Sequence, residues 1–408
     1  MRAVDGDGRS NPTAFDIVVV GGFGHVGLPL AVSFAASGQL VCALDVNAAA
    51  GKEIAAGHVP FEEAGCEAPL RESLKNGRLQ LSLDATVVAN AAVVIIVIGT
   101  PVDEHLNPEF GHIWQLISSL APHLKNNQLV VLRSTLFPGT TEQIRTRLSD
   151  MGCRVEVAYC PERIAEGKAM EELRTLPQII SSFSDEGLRR CRELFQRLTS
   201  DIIELRPLEA ELAKLFNNTW RYTLFATANQ FFMLANDHGA DFYRIYDALT
   251  HNYPRAQSMP RPGFAAGPCL FKDAMQLAAF NNHSFYLGHA AMLINEGLPN
   301  YLVDRLKRQC QLSTKTVGIL GMAFKANSDD RRESLSYKLR KVLLFEARAV
   351  LSSDPFVKDD DFITTAELVD RSDVIFLGTP HDEYRDLKIP DGKIVIDIWN
   401  LWGAGCSL

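Results

Sequence analysis

Residues 15–20, Phe-Asp-Ile-Val-Val-Val, run straight into Gly21-Gly22-Phe23-Gly24-His25-Val26-Gly27, and an apolar segment follows at 28–36. This junction constrains the fold more than any other feature of the chain. A short β-branched run without polar alternation reads as a strand buried on both faces, which is the condition of a parallel sheet covered by helices. Gly22, Gly24 and Gly27 form GxGxxG. The first glycine permits the tight turn, the second lets a pyrophosphate approach the backbone, and the third lets the helix pack close to the strand. The helix N-terminus then offers unpaired N–H groups and a positive dipole end to the anion. His25 and Val26 complete the turn, and His25 reads as a solvated loop residue with no inferred chemistry of its own. Asp45 ends the next apolar run, 40–44, eighteen residues after Gly27. A carboxylate at that place accepts both ribose hydroxyls of NAD and repels the 2′-phosphate of NADP. The segment predicts an NAD site built on Gly22, Gly24, His25, Val26, Gly27 and Asp45.

The alternation of apolar runs with amphipathic segments continues to about residue 200, with further strands expected at 93–98, 129–132 and 154–158. From 208 to about 305 strand signals fade, and 209–235 contains neither Pro nor Gly, as one long helix would. Strand-like runs return at 317–320, 349–351, 374–377 and 394–396. The expected fold class is α/β, with two Rossmann-like parallel-sheet domains joined by a central helical domain. The expected bounds are a disordered tail at 1–13, then domains at 14–205, 206–308 and 309–408.

The chain has 408 residues, 47% of them hydrophobic and 22% charged, and a formal net charge of −8. That balance is ordinary for a soluble globular protein and argues against a nucleic-acid partner, which needs clustered Lys and Arg. The longest apolar runs are strand-sized, far below the roughly 20 residues of a membrane helix, so no membrane partner is expected. Cys42, Cys66, Cys153, Cys160, Cys191, Cys269, Cys310 and Cys406 form no CxxC pair. In a chain this long, that points to reduced thiols and a cytoplasmic setting, with no metal site expected.

One cysteine stands apart. Residues 263–273, Gly-Phe-Ala-Ala-Gly-Pro-Cys-Leu-Phe-Lys-Asp, read as a flexible Gly/Pro-rich loop that places Cys269 near Lys272 and Asp273. A thiol beside a cation ionises more easily, and the thiolate is the reactive form. Such a group could capture an aldehyde as a thiohemiacetal, and a second hydride loss would give a thioester for water to open. The bland alternative is a packed thiol beside a solvated charge pair. Lys214 and Asn218, four apart, share one helix face and could hold an oxyanion and a water. Glu162 and Glu166, in the segment 160–168, could serve as a base or hold sugar hydroxyls. Thr100-Pro101 and Ser134-Thr135 follow two of the strands, at the edge where open sheets bind ligands. In the last domain Gly321 follows a strand, and Lys325, Arg331 and Arg332 suit a phosphate-bearing ligand.

These elements, in this order, resemble the UDP-glucose/GDP-mannose dehydrogenase family across about residues 15 to 400. The matching segments are 22–30 with Asp45, 99–101, 134–135, 161–167, 211–218, 267–273 and 321–334. The resemblance implies an NAD-binding first domain, a central helical domain that forms a homodimer, and a last domain that binds the UDP moiety of a UDP-sugar. It implies Cys269 as the thioester-forming nucleophile and Lys214 as the catalytic lysine. Asn218 and Asp273 would hold sugar and water, Glu162 would be the base for thioester hydrolysis, and Thr135 would lie near the water. Thr100, Pro101, Ser134, Glu166, Lys272 and Arg332 would contact cofactor. Arg163, Gly263, Phe264, Gly267 and Lys325 would join Glu162, Lys214 and Asn218 around the substrate, with Arg255 reaching it across the dimer.

The chain departs from the family pattern at Ala266, where a second glycine is usual, and at Phe271, where proline is usual. Retained Lys272-Asp273 leans toward the glucose and mannose branch. Pro161-Glu162-Arg163 with Gly167-Lys168, and the short spacing from Arg255 to Cys269, resemble the branch acting on UDP-N-acetylhexosamines. The expected activity is an NAD-dependent nucleotide-sugar 6-dehydrogenase that oxidises a C6 alcohol twice, with UDP-glucose as the first substrate reading. The alternatives are UDP-N-acetylglucosamine or UDP-N-acetylmannosamine, GDP-mannose, a single-step hydroxy-acid dehydrogenase, and a non-catalytic nucleotide-binding protein.

Overall fold

A computed structural model describes residues 15–100, 103, 109–264 and 267–403. Two compact units divide within a single helix, one ending at Lys214 and the other beginning at Leu215.

The first unit is built on six parallel strands: β1 (Phe15–Val20), β2 (Val41–Leu44), β3 (Leu79–Ser82), β4 (Ala91–Ile96), β5 (Leu129–Leu132) and β6 (Glu156–Tyr159), in the order β3-β2-β1-β4-β5-β6. Val20 stands level with Leu44 on one side and Ile96 on the other. The winding reverses between β1 and β4, and ligands of open α/β sheets lie at the carboxyl ends of the strands beside such a reversal. Helices α1 (Gly27–Ala36), α2 (Ala48–Ala55), α3 (Glu67–Lys75), α4 (Gly111–Leu120), α5 (Thr140–Asp150), α6 (Ala169–Thr175) and α7 (Asp185–Phe195) flank the sheet. Side chains alternate across each strand, so the sheet feeds two cores: Ile17, Val19, Ile95 and Val131 on one face, Val18, Val20, Val94 and Val130 on the other. A small parallel pair, β7 (Gln178–Ile180) and β8 (Ile202–Glu204), completes the unit.

Helix α8 (Pro207–Asp237) runs 31 residues. Pro207 opens it, where a missing N–H costs nothing, and Gly239 stops it in a left-handed conformation at φ 66°. Helices α9 (Phe242–Thr250), α10 (Gly267–Phe280) and α11 (Tyr286–Gln309) follow. The last sheet comprises β9 (Thr316–Leu320), β10 (Ala349–Ser353), β11 (Val374–Leu377) and β12 (Ile394–Ile396), all parallel in the order β10-β9-β11-β12, with helices α12 (Leu335–Glu346) and α13 (Thr365–Arg371). Phe232, Phe242, Leu298 and Leu302 from the helices share one core with Val317, Ile319, Phe376 and Ile396. The helical segment and the last sheet are thus packed as one body.

Candidate active site

In the first unit, the glycine turn is shaped by what a side chain would strike. A Cβ on Gly22 would lie 2.7 Å from the Val19 carbonyl oxygen, and one on Gly27 would lie 2.0 Å from that of Gly21. Gly24 is different: it is exposed, and a Cβ there would meet only the Gly21 oxygen, at 3.8 Å. The turn is therefore closed on its protein side and open on its outer side, which fits a pyrophosphate. Asp45 Oδ2 accepts the Phe23 N–H at 3.1 Å, and Oδ1 accepts the N–H groups of Val46 at 2.8 Å and Asn47 at 3.1 Å. These bonds fix the carboxylate beside the turn while it stays partly exposed, as a ribose acceptor must be. His25 is not a solvated loop residue: it is half-buried, and its ring lies 4.1 Å from that of Phe61.

The ends of β4 and β5 are tied together. Ser134 Oγ accepts the Ile98 N–H at 2.8 Å, and Thr100 Oγ1 donates to the Thr135 carbonyl at 2.6 Å. Pro101 lies outside the described residues.

After β6, Glu162 meets a partner that sequence reasoning missed. Arg133 is buried, lies over the Phe195 ring at 4.9 Å, and donates to the Cys160 carbonyl at 3.2 Å and to Gln178 Oε1 at 2.9 Å. Its Nη2 pairs with Glu162 Oε2, while Glu162 Oε1 accepts the N–H groups of Arg163 and Ile164 at 2.7 and 2.9 Å. Arg163 donates to the Pro177 carbonyl. Glu63 supports the same loop from α3's approach segment, accepting the N–H groups of Gly167 at 2.8 Å and Ala169 at 2.7 Å. This pairing is buried, so the start of the segment 160–168 is anchored to the sheet.

Glu211 is the first residue of the segment 211–218. It is buried and accepts the N–H of Gly139 at 2.6 Å and both the N–H and hydroxyl of Thr141, at 2.8 and 2.6 Å. It thereby caps α5 from another helix. Burial raises its carboxyl above the ordinary value, with these hydrogen bonds working against the rise. Lys214 follows one turn later and Asn218 one turn beyond, all on one face of α8, and both are buried.

In the second unit, the segment read as a flexible loop is a helix from Gly267 onward. Cys269 lies in the first turn of α10, and Asp273 lies one turn later on the same face. Pro268, the second residue of the helix, has no N–H to lose there. The first turn is the positive end of the helix macrodipole, which favours an anion. Cys269 is exposed, whereas Cys42, Cys66, Cys160 and Cys191 are buried. Burial pushes the thiols of Cys42 and Cys66 up to about 11 and 12, which leaves them protonated and inert. Cys406 lies outside the described residues.

Asp273 is fully buried, so Lys272-Asp273 is not a solvated pair. Asn218 Nδ2 donates to Asp273 Oδ2 at 2.6 Å, and Lys272 Nζ stands 3.9 Å from Oδ1. The turn before α10 has two left-handed glycines pressed on aromatic rings: a Cβ on Gly263 would strike Trp399 at 2.4 Å, and one on Gly267 would strike Phe324 at 2.7 Å. Asn229 holds Gly263 from both sides, accepting its N–H at 2.8 Å and donating to its carbonyl at 3.2 Å, and Phe264 is buried. Ala266 lies outside the described residues. Lys325 follows Phe324 in the chain. Arg332 is bound to Asp330, its Nε donating to both carboxylate oxygens at 2.9 and 3.0 Å. Arg255 is exposed, with its guanidinium over the Tyr253 ring at 5.4 Å.

Three domain signatures match the chain in order: the NAD binding domain of the UDP-glucose/GDP-mannose dehydrogenase family at residues 16–199, its central domain at 208–296 and its UDP binding domain at 318–404. The chain belongs to that family. It is a nucleotide-sugar dehydrogenase, an oxidoreductase that uses NAD. Relatives share its full length. The UDP-N-acetyl-D-mannosamine dehydrogenase of Pyrococcus horikoshii is 29% identical over 94% of this chain and 95% of its own, and its solved structure superimposes with a TM-score of 0.88. The NDP-N-acetyl-D-galactosaminuronic acid dehydrogenase of Ralstonia nicotianae is 27% identical over 99% and 98%. The solved UDP-glucose dehydrogenase of Pyrobaculum islandicum is 27% identical over 96% of both chains, with a TM-score of 0.87. Among the described residues, no helix is long and apolar enough to cross a membrane.

Proposed function

We propose that this dehydrogenase oxidises the C6 alcohol of a UDP-N-acetylhexosamine to the carboxylate in two steps, with Cys269 holding the intermediate. The carrying observation is the α10 constellation: an exposed cysteine in a helix's first turn, one turn before a buried carboxylate that is bonded to Asn218. The N-acetylamino sugar comes from the relatives that match end to end, two of which are named for such substrates. It replaces UDP-glucose as the first reading, and the Pyrobaculum islandicum structure keeps UDP-glucose as the second.

NAD, bound at Gly22–Gly27 and Asp45, supplies the hydride acceptor in each of two oxidations. The substrate hydroxyl gives its proton to a base as the first hydride leaves. The Cys269 thiolate then adds to the aldehyde carbon, and Lys214 balances the oxyanion of the thiohemiacetal. Loss of the second hydride leaves a thioester. Water, held by Asn218 and Asp273, attacks the acyl carbon, gives up a proton to a base, and expels the thiolate. The base for that step is assigned to Glu162 by the family resemblance, with Thr135 as its companion, and Arg133 and two backbone N–H groups hold Glu162 in one orientation. Lys325 meets the UDP phosphates, and Arg255, exposed on its own protomer, reaches the sugar nucleotide across a homodimer. The dimer face is the apolar stripe of α8, where Phe216, Trp220, Phe231 and Leu234 are exposed at helical spacing.

The test is a panel of UDP-N-acetylmannosamine, UDP-N-acetylglucosamine, UDP-N-acetylgalactosamine, UDP-glucose and GDP-mannose, read by NADH. An N-acetylhexosamine should give the highest kcat/KM and two NADH per sugar. Cys269→Ser should abolish the complete reaction, a drop of about 10³-fold or more. One NADH per sugar with free aldehyde would sink the two-step mechanism, and preference for UDP-glucose would restore the second reading. Light scattering should show a dimer that Trp220→Glu dissociates.

A further inference from the structure

The two sheets carry the same device at corresponding places, but use it differently. Asp45 follows β2 and bonds to a backbone N–H of the turn after β1. Asp354 follows β10, the strand beside β9, and bonds to the turn after β9: its Oδ2 accepts the N–H groups of Met322 at 2.6 Å and Ala323 at 2.9 Å. There the likeness ends. Asp45 stays partly exposed, whereas the Asp354 side chain is fully buried. Its Oδ1 accepts the N–H groups of Phe356 and Val357, both at 2.8 Å, and its Oδ2 also meets His381 Nε2 at 3.1 Å. Five donors leave no acceptor for a ribose, so this half cannot hold a dinucleotide in the manner of the first.

His381 extends the device. It is fully buried, with Phe356 and Tyr384 ring centroids at 5.0 and 5.6 Å. Its Nδ1 lies 3.0 Å from the Asn327 N–H, which only donates, so Nδ1 accepts and the proton sits on Nε2, directed at Asp354. Asn327 is left-handed at φ 55° and is further tied by its side chain: Nδ2 donates to Asp382 Oδ2 at 2.6 Å, and Oδ1 accepts the Asp382 N–H at 3.0 Å. Thr379 Oγ1 donates to the Ala323 carbonyl at 2.5 Å. The segment 322–327 is thus held at its start by Asp354 and at its end by His381, with Lys325 between the two anchors.

We propose that His381 is a positioning residue for substrate: it straps the segment carrying Lys325 into the shape that meets the UDP phosphates. This deepens the nucleotide-sugar reading and rests on it. The buried acid that would serve a ribose in a dinucleotide site has here become an anchor for the phosphate-binding loop.

Asparagine and glutamine at 381 separate the two ring nitrogens. In His381→Asn the amide oxygen takes the place of Nδ1 and keeps the Asn327 bond. In His381→Gln the amide nitrogen takes the place of Nε2, keeps the Asp354 bond and leaves Asn327 without its acceptor. Titration calorimetry of the full-length protein with UDP, and separately with NAD, reads the effect on each ligand. Hydrogen exchange at the Asn327 amide, without ligand, reads the strap itself. H381N should bind UDP within about threefold of the parent, and H381Q about five- to tenfold more weakly, the worth of one lost hydrogen bond. NAD affinity should not move in either, and the Asn327 amide should exchange faster in H381Q alone. Equal loss in both variants would assign His381 to packing and overturn the proposal, as would parent-like UDP binding by H381Q. If the parent itself failed to bind UDP, the nucleotide-sugar reading would fall instead, and amide exchange would still decide whether His381 holds the segment.

Discussion

Asp273 is fully buried, yet it stands one helical turn from an exposed cysteine. A buried carboxylate persists only when donors compensate its lost hydration, and here Asn218 supplies the short bond that sequence spacing could not reveal. Residues 218 and 273 are far apart in the chain, and only the packing of α8 against α10 introduces them. The same holds for Arg133 and Glu162. Arg133 looks like one more residue at a strand end, and nothing in its neighbours says that it is buried under Phe195 as the partner of a candidate base. Asn218→Asp would set two buried carboxylates against each other. We expect kcat to fall by about 10²-fold or more and stability by about 3 kcal/mol, measured by NADH formation and urea unfolding. Parent-like unfolding would show that Asn218 is no partner of Asp273.

At the scale of elements, α10 is the main revision. Glycine and proline at 263–268 signal a turn, and the turn is present, but it ends sooner than composition suggests. Gly267 starts the helix and Pro268 is a favoured first-turn residue, so Cys269 gains the rigidity and dipole of a helix terminus. Gly267, at φ 66°, has two reasons to be glycine: its backbone is left-handed, and the Phe324 ring occupies the space a Cβ would need. Gly267→Ala should cost about 1–3 kcal/mol of stability and should lower kcat more than it raises the KM for NAD, because the displaced turn aims Cys269. A variant with parent stability and turnover would remove the turn's role in aiming the thiol. Helix α8 was legible for the opposite reason, since 209–235 holds no helix breaker and ends at Gly239.

Across the whole molecule, acid stability depends on buried carboxylates of opposite tendency. Burial works to raise Asp354, but the hydrogen bond from His381 and the backbone N–H groups outweigh it and hold its carboxyl below the ordinary value. A depressed carboxyl stabilises the fold above the unfolded-state value and loses that contribution as pH falls through the folded-state value. Glu211 is raised chiefly by burial, so its contribution runs the other way: it is present at low pH and is lost as pH rises through the folded-state value. Asp354→Asn should therefore lower stability at neutral pH and flatten the loss of Tm below about pH 4. Melting curves from pH 7 to pH 2 check both limbs. An acid limb as steep as the parent's would show that Asp354 does not carry it.

The sequence by itself determined the α/β class, the two parallel sheets around a helical segment, the glycine turn with an acid at the end of the next strand, and the family. These follow from local rules, namely the period of apolar residues, glycine at turns and an acid at a strand end, and each is readable within some thirty residues. Only the tertiary structure decided that Cys269 lies in a helix, that Glu162 is held by Arg133, that Glu211 caps α5, and that Asp354 closes the second sheet's ribose position. Each of these depends on which distant side chain fills a buried polar group's remaining bonds. That choice is made when the chain packs, and it leaves no period in the sequence.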